Sequence, residues 1–236
     1  MKRTDALFFD LGDTLVDLRG LVPAMTGELQ PRYPALGEKA DAVAIRWVRG
    51  TAEGTRRAHL TTFRPGIEIA AIALLDALGP MGITIDVHTA TEIVRDAWKG
   101  YLQNPKFCSD VDREFLLDLR SRVRALGLVT DSDESMVRPL LARLQLETLF
   151  DTVVVSETVG AYKPDRRIYL EALALARGRA ETSLFVSDSE LDLAGAASVG
   201  MGTVLIARSA NPDRASLPPK ANVLKDLQDL PKVLGA

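Results

Sequence analysis

Through the C-terminal half of the chain, short apolar runs rich in β-branched residues alternate with segments of helical periodicity. The runs are Val123–Thr130, Thr152–Ser156, Ser183–Ser187 and Thr203–Ala207. Between them, Ser135–Leu146, Arg166–Arg177 and Leu191–Val199 carry apolar residues three and four positions apart. In the second of these, Ile168, Leu170, Ala172, Leu173, Leu175 and Ala176 cover one broad face, as a helix lying on a sheet requires. Strands alternating with helices predict βαβ units and a doubly wound parallel α/β sheet. Ala6–Asp10 is a run of the same kind and is expected near the centre of that sheet.

The pattern changes between that first strand and residue 109. Residues 15–108 hold almost no strand-like run and read as helices near 22–30, 38–60, 66–79 and 88–102. Pro31, Pro34, Pro65-Gly66 and Gly79-Pro80 break them. A strand neighbouring the first cannot wait that long inside one compact layer. The expected organisation is therefore an α/β core of residues 1–14 and 109–236, with an all-helical module, residues 15–108, inserted after the first strand. Ser209–Lys220, with Pro212, Pro218 and Pro219, reads as a surface connection.

Composition narrows the function classes. The chain has 236 residues, 47% hydrophobic and 26% charged, with 29 Lys+Arg against 32 Asp+Glu and a net charge of −3. That is ordinary globular composition, and it lacks the basic excess of a dedicated nucleic-acid binder. No stretch approaches the ~18 apolar residues of a spanning helix, and Ala6–Phe9 is too short for a signal h-region. One cysteine, Cys108, and two histidines make no disulfide and no metal-ligand spacing. The expectation is a cytoplasmic protein that engages neither membrane nor nucleic acid.

In parallel α/β sheets, ligands bind outside the carboxyl ends of the strands. The first run ends in Asp10-Leu-Gly-Asp-Thr14, the second in Thr130-Asp131-Ser132. The third leads to Gly160-Ala-Tyr-Lys163-Pro164, and the fourth ends in Ser187-Asp188-Ser-Glu-Leu-Asp192. An acid, a hydroxyl, a cation and a second acid would thus converge on one crevice.

In their order along the chain, Phe8-Phe9-Asp10-Leu11-Gly12-Asp13-Thr14-Leu15, Thr130, Gly160-x-x-Lys163-Pro164-Asp165 and Asp188-x-x-x-Asp192 resemble the four motifs of the haloacid dehalogenase-like hydrolases. The resemblance implies a Rossmann-like core, with the helical module in the position of the family's cap. It also implies Mg²⁺-dependent hydrolysis of a small anionic, phosphorylated metabolite. Asp10 would be the nucleophile, forming an aspartyl-phosphate. Mg²⁺ would be held by Asp10, Asp188 and the Gly12 carbonyl, while Thr130 and Lys163 would donate to the transferring group. Asp192 would orient Lys163 or a metal-bound water, and Asp188 could also cap the helix beginning near Leu191.

The sequence departs from the family at its acid/base. Two residues after the nucleophile, where a second aspartate usually serves as general acid and base, stands Gly12; Asp13 follows, where glycine is frequent. Asp131 replaces a common Asn, and Ser187 a common Gly. General acid–base catalysis contributes typically ~10²–10⁴-fold, so three readings compete. The first is a phosphatase favouring good leaving groups, with Asp13 or a metal-bound water covering part of the proton transfer. The second is a catalytically silent or regulatory relative, and the third is a 2-haloacid dehalogenase. Arg46, Arg49, Arg56, Arg57 and Arg64 face one acid, Glu53, with Trp47, His59 and Phe63 interleaved. Arg56, Arg57 and His59 are the candidate substrate contacts from this stretch, whose other reading is a solvated helix face.

Overall fold

The computed structural model describes residues 4–209 and 211–234. In chain order it begins with β1 (Ala6–Phe9), β2 (Val16–Asp17), α1 (Leu21–Arg32), α2 (Ala40–Ala58), α3 (Gly66–Leu78), α4 (Val87–Tyr101) and β3 (Lys106–Phe107). There follow α5 (Arg113–Arg122), β4 (Ala125–Thr130), α6 (Glu134–Arg143), β5 (Thr152–Val155), α7 (Ser156–Val159) and α8 (Arg166–Leu175). The chain continues with β6 (Ser183–Ser187), α9 (Glu190–Ser198), β7 (Gly202–Ile206), β8 (Asn222–Leu224) and α10 (Leu230–Leu234).

Six strands form a parallel sheet in the order β5-β4-β1-β6-β7-β8. All four residues of β1 are buried, so its run is continuously apolar: a central strand is covered on both faces. Leu7 and Phe9 face the layer that includes α5 and α6, through Leu116, Leu119, Leu140 and Leu141. Ala6 and Phe8 face the opposite layer, with Ile168, Tyr169 and Leu193 from α8 and α9. The chain adds β4 and β5 on one side of β1, then returns to add β6, β7 and β8 on the other. That reversal opens a crevice at the carboxyl ends of β1, β4 and β6.

Between β2 and β3 the chain is helical, and α1–α4 pack around their own core of Trp47, Leu74, Leu78, Ile93 and neighbours. The Trp47 indole donates to the Ala70 carbonyl at 2.9 Å, so it is a core anchor and not part of an exposed wall. The short antiparallel pair β2–β3 brings the two ends of this excursion together. The periodicity did not anticipate that pair, nor β8, because two- and three-residue strands show no alternation. Pro31 does not stop α1, which runs one residue further; at the last turn a proline removes only one terminal hydrogen bond. The helices α6 and α8 end earlier than their periodicity suggests, where Gln145 and Arg177 adopt left-handed φ of 57° and 48°. No helix among the described residues is long and apolar enough to cross a membrane.

Candidate active site

Asp10 directly follows β1, and its N–H donates to the Val186 carbonyl of β6 at 2.9 Å. Its side chain lies in the crevice opposite Lys163, whose ammonium donates to Asp10 Oδ1 at 2.5 Å and to Asp192 Oδ2 at 2.6 Å. Lys163 is 3% exposed. Burial alone would lower its pKa, but Asp10, Asp192 and Asp131 outweigh it and hold the group well above its ordinary value. Burial raises the pKa of Asp10 against the pull of that ammonium.

The Lys163-Pro164 turn is seated by α9. A Cβ on Gly195 would fall 2.8 Å from Pro164 Cα and 2.6 Å from the Tyr169 ring, so only glycine lets the helix approach this closely. Tyr169 donates its hydroxyl to the Asp192 carbonyl at 2.7 Å, and Ser187 donates to Asp192 Oδ2 at 3.1 Å. Asp192 is therefore fixed from its backbone and its side chain while it holds Lys163.

Thr130 ends β4 and is buried; among the described residues its hydroxyl makes no protein hydrogen bond. The next residue, Asp131, accepts the Lys163 backbone N–H at 2.9 Å. Desolvation, with the Asp192 and Asp10 charges, pushes its pKa up to about 7. Asp188 follows β6 at the open rim of the crevice. Its N–H donates to Thr14 Oγ1 at 3.1 Å, and that hydroxyl donates to Asp188 Oδ1 at 3.4 Å. Partial desolvation, then the Asp10, Asp13 and Asp192 carboxylates, push Asp188 up to about 7.

A single ammonium thus serves a group of carboxylates that raise one another's pKa. A cation beside Asp10 and Asp188 would relieve that repulsion. No three acidic, His or Cys side chains gather as a ready metal cage among the described residues. Two carboxylates with a loop carbonyl and waters make a smaller, all-oxygen set, which suits partly hydrated Mg²⁺. The donor chemistry fits that ion.

Several expectations need amendment. The cap of α9 is Ser189, which accepts the Asp192 N–H, and not Asp188. Asp13 is exposed, and its Oδ1 accepts the Leu18 N–H at 3.1 Å, so its carboxylate braces the turn after Asp10. At Gly12, the space a Cβ would need is taken by Leu18, whose Cδ1 would lie 2.7 Å away. Arg56 and Arg57 do not join the strand ends: both pair with Glu53 at 2.6 Å on the exposed side of α2. Arg57 lines a groove formed by residues 50–76, and i,i+3 and i,i+4 pairing with Glu53 holds both guanidiniums to their own helix. His59 follows α2, bonded to the Arg56 carbonyl at 2.8 Å and close enough for its charge to influence Asp165.

Residues outside the motifs also shape the site. Asp133, 1% exposed, accepts the N–H groups of Gly66 and Ile67 at 2.7 Å each, capping α3 from the core. Tyr162, beside Lys163, donates to the Arg64 carbonyl at 2.9 Å and stacks on Phe63. The loops bearing Thr130 and Lys163 thus both grip the α2–α3 junction. An acid just before a helix was readable as an ordinary cap of α6; its use on another helix is a long-range fact the local pattern does not carry.

A family profile described as haloacid dehalogenase-like hydrolase matches residues 4–200. The chain belongs to that family. It is 24% identical over 226 residues to (S)-2-haloacid dehalogenase 4A of Burkholderia cepacia, covering 95% of this chain and 92% of that protein. It is also 28% identical over 236 residues to the phosphoglycolate phosphatase of Pseudomonas syringae pv. syringae (strain B728a), covering 97% and 79% of the two. The fold is similar to that of the HAD-hydrolase YfnB from Bacillus subtilis, solved with magnesium bound. There the TM-score is 0.81 at 19% identity over the full length of both chains.

Proposed function

We propose that this haloacid dehalogenase-like hydrolase cleaves a phosphate monoester of a small metabolite, with Asp10 as nucleophile and Mg²⁺ as cofactor. The observation that carries this reading is the placement of Asp188. It stands at the end of the strand next to β1, hydrogen-bonded through Thr14 to the loop that follows Asp10. A second carboxylate so placed is suited to hold a cation between an anionic nucleophile and an anionic substrate. The likeness to a phosphoglycolate phosphatase supports the substrate class.

A bound Mg²⁺ would offset the repulsion between an anionic nucleophile and an anionic substrate. The residues do the rest. Asp10 attacks phosphorus and forms an acyl phosphate as the ester P–O bond breaks, its electron pair leaving with the alcohol oxygen. Thr130 and Lys163 donate to the transferring group's oxygens, where charge is spread in the transition state. Lys163 reaches them while still paired with Asp192. Water then attacks the acyl phosphate, releasing inorganic phosphate and restoring the Asp10 carboxylate. With Gly12 offering no side chain, the departing oxygen takes its proton from solvent, which favours substrates with acidic leaving groups.

Position 12 also favours a second reading, as a 2-haloacid dehalogenase. Attack of Asp10 on carbon expels halide, which needs no proton, so a missing general acid costs nothing there. Water must then hydrolyse the ester left on Asp10, a step in which Asp188 could serve as base; the likeness to dehalogenase 4A supports this reading. One assay set separates the readings. Phosphate release is measured from a panel of phosphomonoesters with Mg²⁺ and with EDTA, beside halide release from (S)-2-haloacids without metal. Asp10→Asn is the control. Mg²⁺-dependent phosphate release that vanishes in Asp10→Asn is expected. Metal-free halide release would transfer the assignment to dehalogenase. Phosphate release surviving Asp10→Asn would overturn the mechanism, and inactivity on both panels would point to a silent relative.

A further inference from the structure

Arg208 follows β7, far in sequence from the nucleophile loop, yet it holds that loop by its backbone. Its Nη1 donates to the Asp13 carbonyl at 2.6 Å and its Nη2 to the Thr14 carbonyl at 2.8 Å. Its Nε donates to Asp110 Oδ1 at 2.8 Å. Asp110 is itself fixed, since its Oδ2 accepts the Leu227 N–H at 2.8 Å. The guanidinium therefore spans three acceptors with its fork of donors, which a lysine cannot reproduce.

The loop has a reason to need an external hold. Asp13 sits at φ 52°, in the left-handed region that strains most side chains and that aspartate enters only with local support, here its Oδ1 accepting the Leu18 N–H. Such a conformation persists only when its surroundings over-determine it. The peptide joining Gly12 to Asp13 carries the carbonyl assigned to the cation, and Thr14 carries the hydroxyl that positions Asp188. One side chain thus bears on both ends of the cation site.

We infer that Arg208 is a positioning residue for the divalent-cation site, acting by holding the backbone of the Asp13–Thr14 segment. The inference rests on the cation site of the proposed function. Residues that orient metal ligands without touching the metal typically contribute about 10–100-fold to affinity.

The test uses the full-length protein as wild type, R208Q, R208K and D13N/R208Q. Mg²⁺ binding is measured calorimetrically without substrate, and amide hydrogen exchange is followed at residues 11–16. R208Q should weaken Mg²⁺ binding at least about tenfold and speed exchange at Leu15 and Val16, whose N–H groups donate to the Leu11 carbonyl. R208K, keeping the charge but not the fork, should fall between wild type and R208Q. Asparagine at position 13 keeps the acceptor for the Leu18 N–H and is more at ease in the left-handed region, so D13N/R208Q should regain part of both properties relative to R208Q. A generic loss of stability would give no such recovery. Wild-type binding and exchange in R208Q, or no recovery in the double variant, would overturn the inference. If the wild type takes up no Mg²⁺, the cation reading fails, and the exchange data alone decide whether Arg208 holds the loop.

Discussion

The ammonium of Lys163 is shared between Asp10 and Asp192, 2.5 Å from one carboxylate and 2.6 Å from the other. The two acids come from opposite ends of the chain, one after β1 and one within α9. The lysine is thus both a candidate donor to substrate and the charge that makes burying Asp10 tolerable. Breaking a buried pair by removing one partner costs about 3–5 kcal/mol, because the other charge is left uncompensated.

Lys163→Met should therefore lose activity and stability together. The expected outcome is a fall in kcat/KM of at least about 10²–10³-fold, with an unfolding free energy lower by several kcal/mol in urea titration. Asp192→Asn separates the two roles, since the amide oxygen still accepts from the ammonium and Asp10 still balances its charge. It should lower kcat while leaving the unfolding midpoint near that of the wild type. An Asp192→Asn variant as unstable as Lys163→Met would contradict this division.

The pH dependence of stability should carry the signature of Asp131. Its pKa rises from 3.8 to about 7 on folding. Between those values the folded protein holds a proton that the unfolded chain has lost. Its contribution to stability therefore declines as pH rises through that window, and the penalty is complete above about 7. Asp131→Asn removes the titration and keeps an acceptor for the Lys163 N–H. In EDTA, the variant should exceed the wild type in stability by an amount that grows from pH 5 to pH 8, reaching of order 1–3 kcal/mol. Thermal unfolding across that range measures it; a gap that is constant or shrinks with pH would refute the assignment.

The parallel sheet and the polar residues at its strand ends were legible because each rests on local signals. A central strand such as Ala6–Phe9 is apolar throughout, and an acid that ends an apolar run stands out. The helices between β2 and β3 were legible for the same reason, from period and proline breaks. The hidden features are long-range. Arg208 and Asp133 look like ordinary surface and capping residues until folding brings them to Asp13 and Gly66, over 195 and 67 positions. Of the two readings of Arg56 and Arg57, the pairing of both with Glu53, one turn away, accords with the solvated helix face, and that pairing could have been read from the i,i+3 and i,i+4 spacing. Lys163, Asp10 and Asp192 were named as a set, but their shared ion pair needed three dimensions.

Asp133 and Tyr162 grip the same segment, 64–67, from the loops that carry Thr130 and Lys163, so their contributions should be coupled. Asp133→Ala strands two N–H groups that lose a charged acceptor, at a cost of about 2–4 kcal/mol. Tyr162→Phe loses one hydrogen bond, about 1 kcal/mol. Once either contact is gone the segment can shift toward water, so the double variant should lose less than the sum of the two. Urea unfolding of the two single variants and the double variant measures this; strict additivity would show that they act independently.

Restoring a carboxylate at position 12 should change which leaving groups the protein tolerates. The backbone there does not lie in the left-handed region, and the obstacle is the end of one flexible side chain, Leu18. Gly12→Asp paired with Leu18→Ala therefore supplies both the acid and its space. A general acid matters most when the departing oxygen is a poor leaving group and hardly at all when it is a good one. The double variant should raise the rate on alkyl phosphates by about 10²-fold while leaving aryl and acyl phosphates nearly unchanged. A plot of log kcat/KM against leaving-group pKa, steep in the wild type, should flatten. Leu18→Ala alone controls for loosening of the turn and should leave the slope steep. Equal acceleration of every substrate would mean that the new side chain had altered metal or substrate binding, and an unchanged slope would mean that proton supply does not limit the wild-type reaction.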